Sequence, residues 1–318
     1  MSRTGRIHFH VPGHMTDPAG DELPKFYRLL IAEFQARGAA TAVVHRDLEH
    51  LAHGDLAPGF HFVHNGRIER PRLLNTGLAY LYPFWYMDPT GIHADSTLSK
   101  APFVASDTPG AQRFADRLAR RLVASRTSRY SQPDHRETFP AGSIAVFLQG
   151  WSDPVARVRH MDSRAMLAAV LADTGGHPVV VKPHPQNHDA ETAEALHWLT
   201  RHHPAVIQTR ANVHDILASA ALCVTISSAV ALEAMLHRVP SVLFGRTDFH
   251  HCAETVRTAA GWPAARDRAL ATPYPFAGFL HWFLGNGMIN AGRGDMIGEV
   301  VRRMAAQGCD IAALSPPG

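Results

Sequence analysis

Along the second half of the chain, short apolar runs alternate with stretches in which apolar residues recur every three to four positions. Strand-like Ile144–Leu148 precedes helical Ser163–Ala172, Val179–Lys182 precedes Asp189–Arg201, Val206–Gln208 precedes Val213–Ala220, Leu222–Ile226 precedes Ser228–Leu236, and strand-like Ser241–Phe244 follows. Regular strand–helix alternation of this kind predicts a doubly wound parallel sheet. The first part is less regular, with a strand over Arg6–Val11, a helix over Glu22–Arg37, a strand over Ala40–His45, an aromatic-rich loop over Tyr80–Tyr86 and a helix over Gly110–Thr127. Ser128–Gly142 is polar and lacks period, which reads as a linker between domains. The expected organisation is α/β: one domain over residues 1–130, a second over 143–272, and C-terminal helices over 273–318 that pack back on the first. Within the last segment, Tyr274–Leu284 carries Phe276, Phe279, Trp282 and Phe283 and is expected as a helix, either at the domain junction or as an ordinary amphipathic core element.

Two junctions in the second half carry candidate chemistry. Val179-Val180-Val181 runs straight into Lys182-Pro183-His184-Pro185, so an apolar strand delivers a cation and an imidazole to its C-terminal end. Each proline restrains the residue before it to extended conformations, which aims Lys182 and His184. Ligands of open parallel α/β sheets sit just beyond such strand ends. At the second junction Ser227-Ser228 separate an apolar strand from a helix, where a serine cap and free N–H groups favour an anion such as phosphate. Glu233 is the only charge of that helix, and a buried carboxylate needs a partner such as a ribose diol. The plainer alternatives are a solvated Pro-rich turn, simple capping by the serines and a structural ion pair for Glu233.

Composition narrows the class. A chain of 318 residues with 46% apolar content suits two globular domains. Its 31 basic and 28 acidic residues are nearly balanced, without the basic blocks of nucleic-acid binders. Cys223, Cys252 and Cys309 lack metal or redox spacing and read as reduced thiols. No stretch approaches the roughly 20 apolar residues that span a bilayer. A cytoplasmic protein is expected, at most peripheral at the inner face of the cell membrane. Twenty-two histidines raise metal binding, with His8, His10 and His14 the tightest cluster, yet the others follow no ligand spacing, and neither metal nor cofactor is expected.

Taken in order, Phe147-Leu148-Gln149-Gly150-Trp151-Ser152-Asp153, then Lys182-Pro183-His184-Pro185, then Ser227-Ser228 with Glu233-Ala234-Met235-Leu236, resemble the capsule-polysaccharide biosynthesis family, whose best understood members transfer Kdo from a CMP-activated donor. The resemblance spans roughly residues 144–250. It implies a GT-B-like architecture, two doubly wound Rossmann-type domains facing a cleft, and transfer of a sugar from a CMP donor to a capsular polysaccharide or lipid-linked glycan. By the same resemblance Asp153, in a Gln-x-x-x-Asp arrangement with Gln149, is the catalytic carboxylate. His184 acts at the departing phosphate, and Gln149, Lys182, Ser227, Ser228 and Glu233 hold the nucleotide. Those transferases carry Gly-Phe-Glu-Ala where this chain has Ala231-Leu232-Glu233-Ala234, so the class of donor is better specified than the sugar. Should Asp153 not be the carboxylate, Asp88, Asp95 and Asp107 are next. The competing readings are a CDP-polyol phosphotransferase of the teichoic-acid type, a GT-B module without catalysis, and a metal-dependent hydrolase built on the N-terminal histidines.

Overall fold

The computed structural model describes residues 6–16, 22–105, 108–150, 152–185, 189–292 and 294–309, with only the backbone of Asp153. The chain forms two compact units, Met1–Ala101 with Leu284–Gly318, and Pro102–Phe283.

In the first unit, β1 (Arg6–Val11), β2 (Ala40–His45), β3 (Gly59–His64) and β4 (Leu73–Leu78) run parallel, while β5 (Phe84–Asp88) and β12 (Ile289–Asn290) add antiparallel strands in the order β12-β5-β4-β3-β1-β2. Alternation along β1 sends Ile7, Phe9 and Val11 into one core. There they meet Phe26, Tyr27, Leu30 and Phe34 of α1 (Lys25–Ala36) and Met296, Val300 and Met304 of α11 (Met296–Ala306), each set at helical spacing. Beyond β2, the short α2 (Leu48–His53) is capped by Asp47, which accepts from the backbone N–H of Glu49 and His50. The aromatic segment expected as a loop over Tyr80–Tyr86 is corrected here: Phe84–Asp88 is a strand buried throughout, without the alternation that marks a half-exposed one.

The second unit holds a six-stranded parallel sheet. Its strands are β6 (Ser143–Phe147), β7 (Val179–Lys182), β8 (Ile207–Gln208), β9 (Ala220–Thr225), β10 (Ser241–Leu243) and β11 (Glu254–Thr255), ordered β11-β10-β9-β6-β7-β8. Counted within this unit the order is 3-2-1-4-5-6 read from β8, that of a Rossmann sheet, with its switch point between β6 and β9. Ile144 and Val146 pack on α5 (Ser163–Ala172), α6 (Ala190–His202) and α9 (Trp262–Ala271). Ala145 and Phe147 pack on the opposite face against α7 (Val213–Ser219) and α8 (Val230–Leu236). Burial of both faces is why these strands read as unbroken apolar runs. Asp162, Asp189 and Asn212 cap α5, α6 and α7 by accepting from Ala165, Thr192 and His214 backbone N–H groups, which explains where those helices start. Three further helices, α3 (Pro109–Leu122), α4 (Asp153–Val158) and α10 (Phe276–Leu280), complete the unit. Among the described residues no helix is long and apolar enough to cross a membrane.

Candidate functional site

Sheet register brings the sequence motifs into one layer. Phe147 pairs with Lys182 on one side and Thr225 on the other. Gln149, His184 and Ser227 each stand two residues beyond that row, at the C-terminal ends of three adjacent parallel strands. Across the switch point the Gln149 side-chain oxygen accepts from the Ser227 backbone N–H at 2.9 Å and from the Ser227 hydroxyl at 3.2 Å. The two strand ends are therefore tied by a side chain where the sheet itself stops pairing.

His184 is half-buried, its imidazole edge-on to Tyr130 with ring centroids 4.8 Å apart and planes at 78°. Desolvation, then the nearby charges of Arg129 and Lys182, lower its pKa, which favours the neutral ring. Lys182 is 6% exposed, and its ammonium donates to the carbonyls of Arg210 at 3.0 Å and Ala211 at 2.7 Å. Desolvation and the charge of Arg210 bring its pKa down to about 8, against the pull of Glu137.

Glu233, only 4% exposed on α8, has a carboxylate oxygen, Oε1, without a hydrogen-bond partner. Desolvation raises its pKa to about 7, and a hydrogen bond from Ser128 acts in the opposite direction. The serine cap needs correction. α8 begins at Val230, two residues later than the Ser228 start expected from sequence, with Ala229 in the cap position and no side-chain cap, and the Ser228 hydroxyl accepts from Val230 N–H at 3.4 Å in the turn before the helix. Asp153 opens α4, just past the C-terminal end of β6, and its side chain and the whole of Trp151 lie outside the described residues.

Of the reserve carboxylates, Asp88 accepts five hydrogen bonds from Thr90, Gly91 and Thr97, including 2.8 Å from Thr90 N–H and 2.9 Å from Thr97 N–H, and so holds its own loop. Asp107 lies outside the described residues. His8 and His10 meet His61 of β3 as a ladder of rings, the His8–His61 pair stacked at 4.9 Å and His10 Nε2 sharing a hydrogen bond with His61 Nδ1 at 2.9 Å. Among the described residues no group of three or more His, Cys, Asp or Glu is arranged to hold a metal ion. A cavity of ≈ 610 Å³ in the second unit is bounded by α3, the residue Arg238 just after α8 and the loop before α10, away from the strand ends.

Sequence reading missed one part of this site. Ser128, Arg129 and Tyr130, in the segment read as linker, reach Glu233 and His184. Their polar, aperiodic setting carries no sign of it.

Comparison with solved structures places the fold. Over 87% of this chain and 89% of the other, it is similar to Thermosulfurimonas dismutans KpsC, beta Kdo 2,4 transferase, with a TM-score of 0.55 at 16% identity. A second structure, Thermosulfurimonas dismutans KpsC, beta Kdo 2,7 transferase, matches with a TM-score of 0.55 at 14% identity, covering 96% of this chain and 100% of that one. No family model matches the chain, and no curated protein matches it. The chain has the GT-B type of fold, two Rossmann-type α/β units, shared with those transferases.

Proposed function

We propose that this protein is a glycosyltransferase that moves a sugar from a cytidine monophosphate donor to a surface polysaccharide or its lipid-linked primer. The observation that carries the reading is the convergence of Gln149, His184 and Ser227 in one layer at the switch point of a Rossmann sheet. The fold shared with KpsC transferases supports it.

In such a reaction the bond between the anomeric carbon and the phosphate oxygen breaks, and the nucleotide leaves as an anion. Hydrogen-bond donors placed where that charge grows lower the barrier. His184 beside the phosphate and Ser227, oriented by Gln149, are suited to that work, while Lys182 shapes the loop from below. Glu233, with one oxygen unpartnered, is suited to accept from a ribose hydroxyl. Asp153, on the backbone leaving β6, is the carboxylate assigned to the positive charge developing at the anomeric carbon, as nucleophile or as stabiliser.

Thermal shift with CMP, CDP, UMP, UDP and GDP tests the donor class. A ligand at a hundred times its dissociation constant stabilises the native state by about 2.7 kcal/mol, and CMP is expected to do so while UMP and GDP do not. CMP is the leaving nucleotide of a CMP-sugar and of a CDP-polyol alike, so turnover of one donor class against the other separates sugar transfer from polyol-phosphate transfer, and no response to any cytidine nucleotide would overturn the nucleotide reading. With donor and acceptor in hand, Asp153→Asn should cut turnover by on the order of a hundredfold with CMP affinity kept. A full rate would remove Asp153 from the chemistry.

A further inference from the structure

The segment between α3 and β6 is not slack. Arg126 donates from Nε and Nη2 to the two carboxylate oxygens of Asp215 on α7, at 3.0 and 2.7 Å, and Asn212 donates to the Arg126 carbonyl at 3.1 Å. A few residues later Gln132 accepts from the Val213 backbone N–H at 3.1 Å, and Glu137 N–H donates to Asp215 at 3.0 Å. Between these anchors lie Ser128, Arg129 and Tyr130, and each is directed at a residue of the site. Ser128 lies close enough to Glu233 to lower its carboxyl midpoint against the effect of burial, Arg129 lies close enough to His184 for its charge to act on the imidazole, and the Tyr130 ring stands edge-on to that imidazole.

A phosphate needs a cation that can reach it. The Lys182 ammonium is buried, with two of its N–H groups held by carbonyls. Arg129 is exposed, its guanidinium carbon 5.7 Å from the centre of the Tyr130 ring, and among the described residues no carboxylate pairs with it. Guanidinium offers two parallel N–H groups that match two phosphate oxygens, a geometry that an ammonium lacks.

We propose that Arg129 is the cation that meets the donor's phosphate and that Tyr130 is a positioning residue that seats the imidazole of His184. This rests on the nucleotide-donor reading above and adds to it a wall of the site contributed by the supposed linker. Arg129 neutralises the charge released on the nucleotide, and Tyr130 limits the rotation of the ring that faces the same oxygens.

The test is calorimetric titration of the full chain with CMP and with cytidine. Arg129→Ala should weaken CMP by on the order of tenfold or more, the scale of a hydrogen bond to a charged group, and leave cytidine unchanged. Arg129→Lys should recover part of the loss. Arg113→Ala, an exposed arginine of α3, is the control and should change neither. Imidazole NMR gives a second readout that needs no ligand: Arg129→Ala should raise the His184 titration midpoint by removing a neighbouring positive charge. Tyr130→Ala should raise it by admitting water, whereas Tyr130→Phe should not move it. CMP affinity untouched in Arg129→Ala, or cytidine weakened equally, overturns the phosphate role while the donor reading stands. Wild-type protein that binds no nucleotide overturns both. An unmoved His184 midpoint in Tyr130→Ala overturns the positioning role.

Discussion

Replacing Glu233 by Gln should make the protein more stable, and only at neutral to alkaline pH. Burial holds the Glu233 carboxyl midpoint at about 7 in the folded chain, against 4.5 for an ordinary glutamate. At about 1.4 kcal/mol per pH unit, keeping this group charged in the fold costs about 3 kcal/mol. Below the unfolded midpoint the carboxyl is protonated in both states, and its contribution to stability is fully present. As pH rises through the interval up to about 7, the unfolded chain releases its proton first, and that contribution is lost. Glutamine copies the shape of the protonated acid and never ionises. The stability of Glu233→Gln minus that of wild type should therefore be near zero at pH 4.5 and reach about 3 kcal/mol at pH 8, which for a domain of this size is a melting-temperature rise on the order of 6–12 °C. Histidines with depressed pKa titrate over part of the same range, but they are common to both proteins and cancel in the difference. Thermal and urea unfolding at pH 4.5, 6 and 8 would read it. A difference that stays flat across that range would mean that the carboxylate is ionised and paired in the fold. A ribose hydroxyl donating to Oε1 stabilises the charged form, so saturating CMP should shrink the gap at pH 8.

His184→Asn should abolish turnover of a CMP-sugar donor while shifting the melting temperature little, because the ring is only half-buried; loss of folding along with activity would return it to a packing role. Arg126→Ala leaves Asp215, with a side chain only 7% exposed, as an unpaired charge, and the expected cost is about 3–5 kcal/mol; a urea midpoint within error of wild type would refute the clamp. In the first unit, burial is the largest cause that depresses His10 and His61 to about 4, so as pH falls below 6.5 the unfolded chain takes up protons that the folded one refuses and stability drops. His10→Asn should flatten that decline between pH 6.5 and 4.5, and an unchanged slope in acid unfolding would show that the ring ladder is not its source.

How far these features could be read from the chain depended on whether their causes are local. The strands Val179–Lys182 and Arg6–Val11 and the helix Ser163–Ala172 match the expected bounds, since apolar runs and an aspartate cap are written within a few residues of where they act. β3 and β4 have no clear apolar pattern because their polar residues are interior ones. His61 and His64 are buried, the first bonded to His10 and the second to the Tyr27 hydroxyl, and Asn75 closes hydrogen bonds with Ile68, so polarity there does not mean solvent. The same confusion of polarity with exposure affected the candidate site. Lys182 lies at a strand end, as its apolar run predicts, yet what engages its ammonium is the backbone of residues 210 and 211, supplied by a loop distant in sequence. Ser128, Arg129 and Tyr130 are illegible for the opposite reason: nothing in their neighbourhood has a period, and their order comes from an arginine–aspartate pair separated by 89 positions. Apolar periodicity reports which face of an element is buried, and it is silent on polar segments held by long-range hydrogen bonds. In a Rossmann sheet those segments gather at the strand ends, where ligands bind. The part of this molecule least legible from its sequence is accordingly the part next to the candidate site.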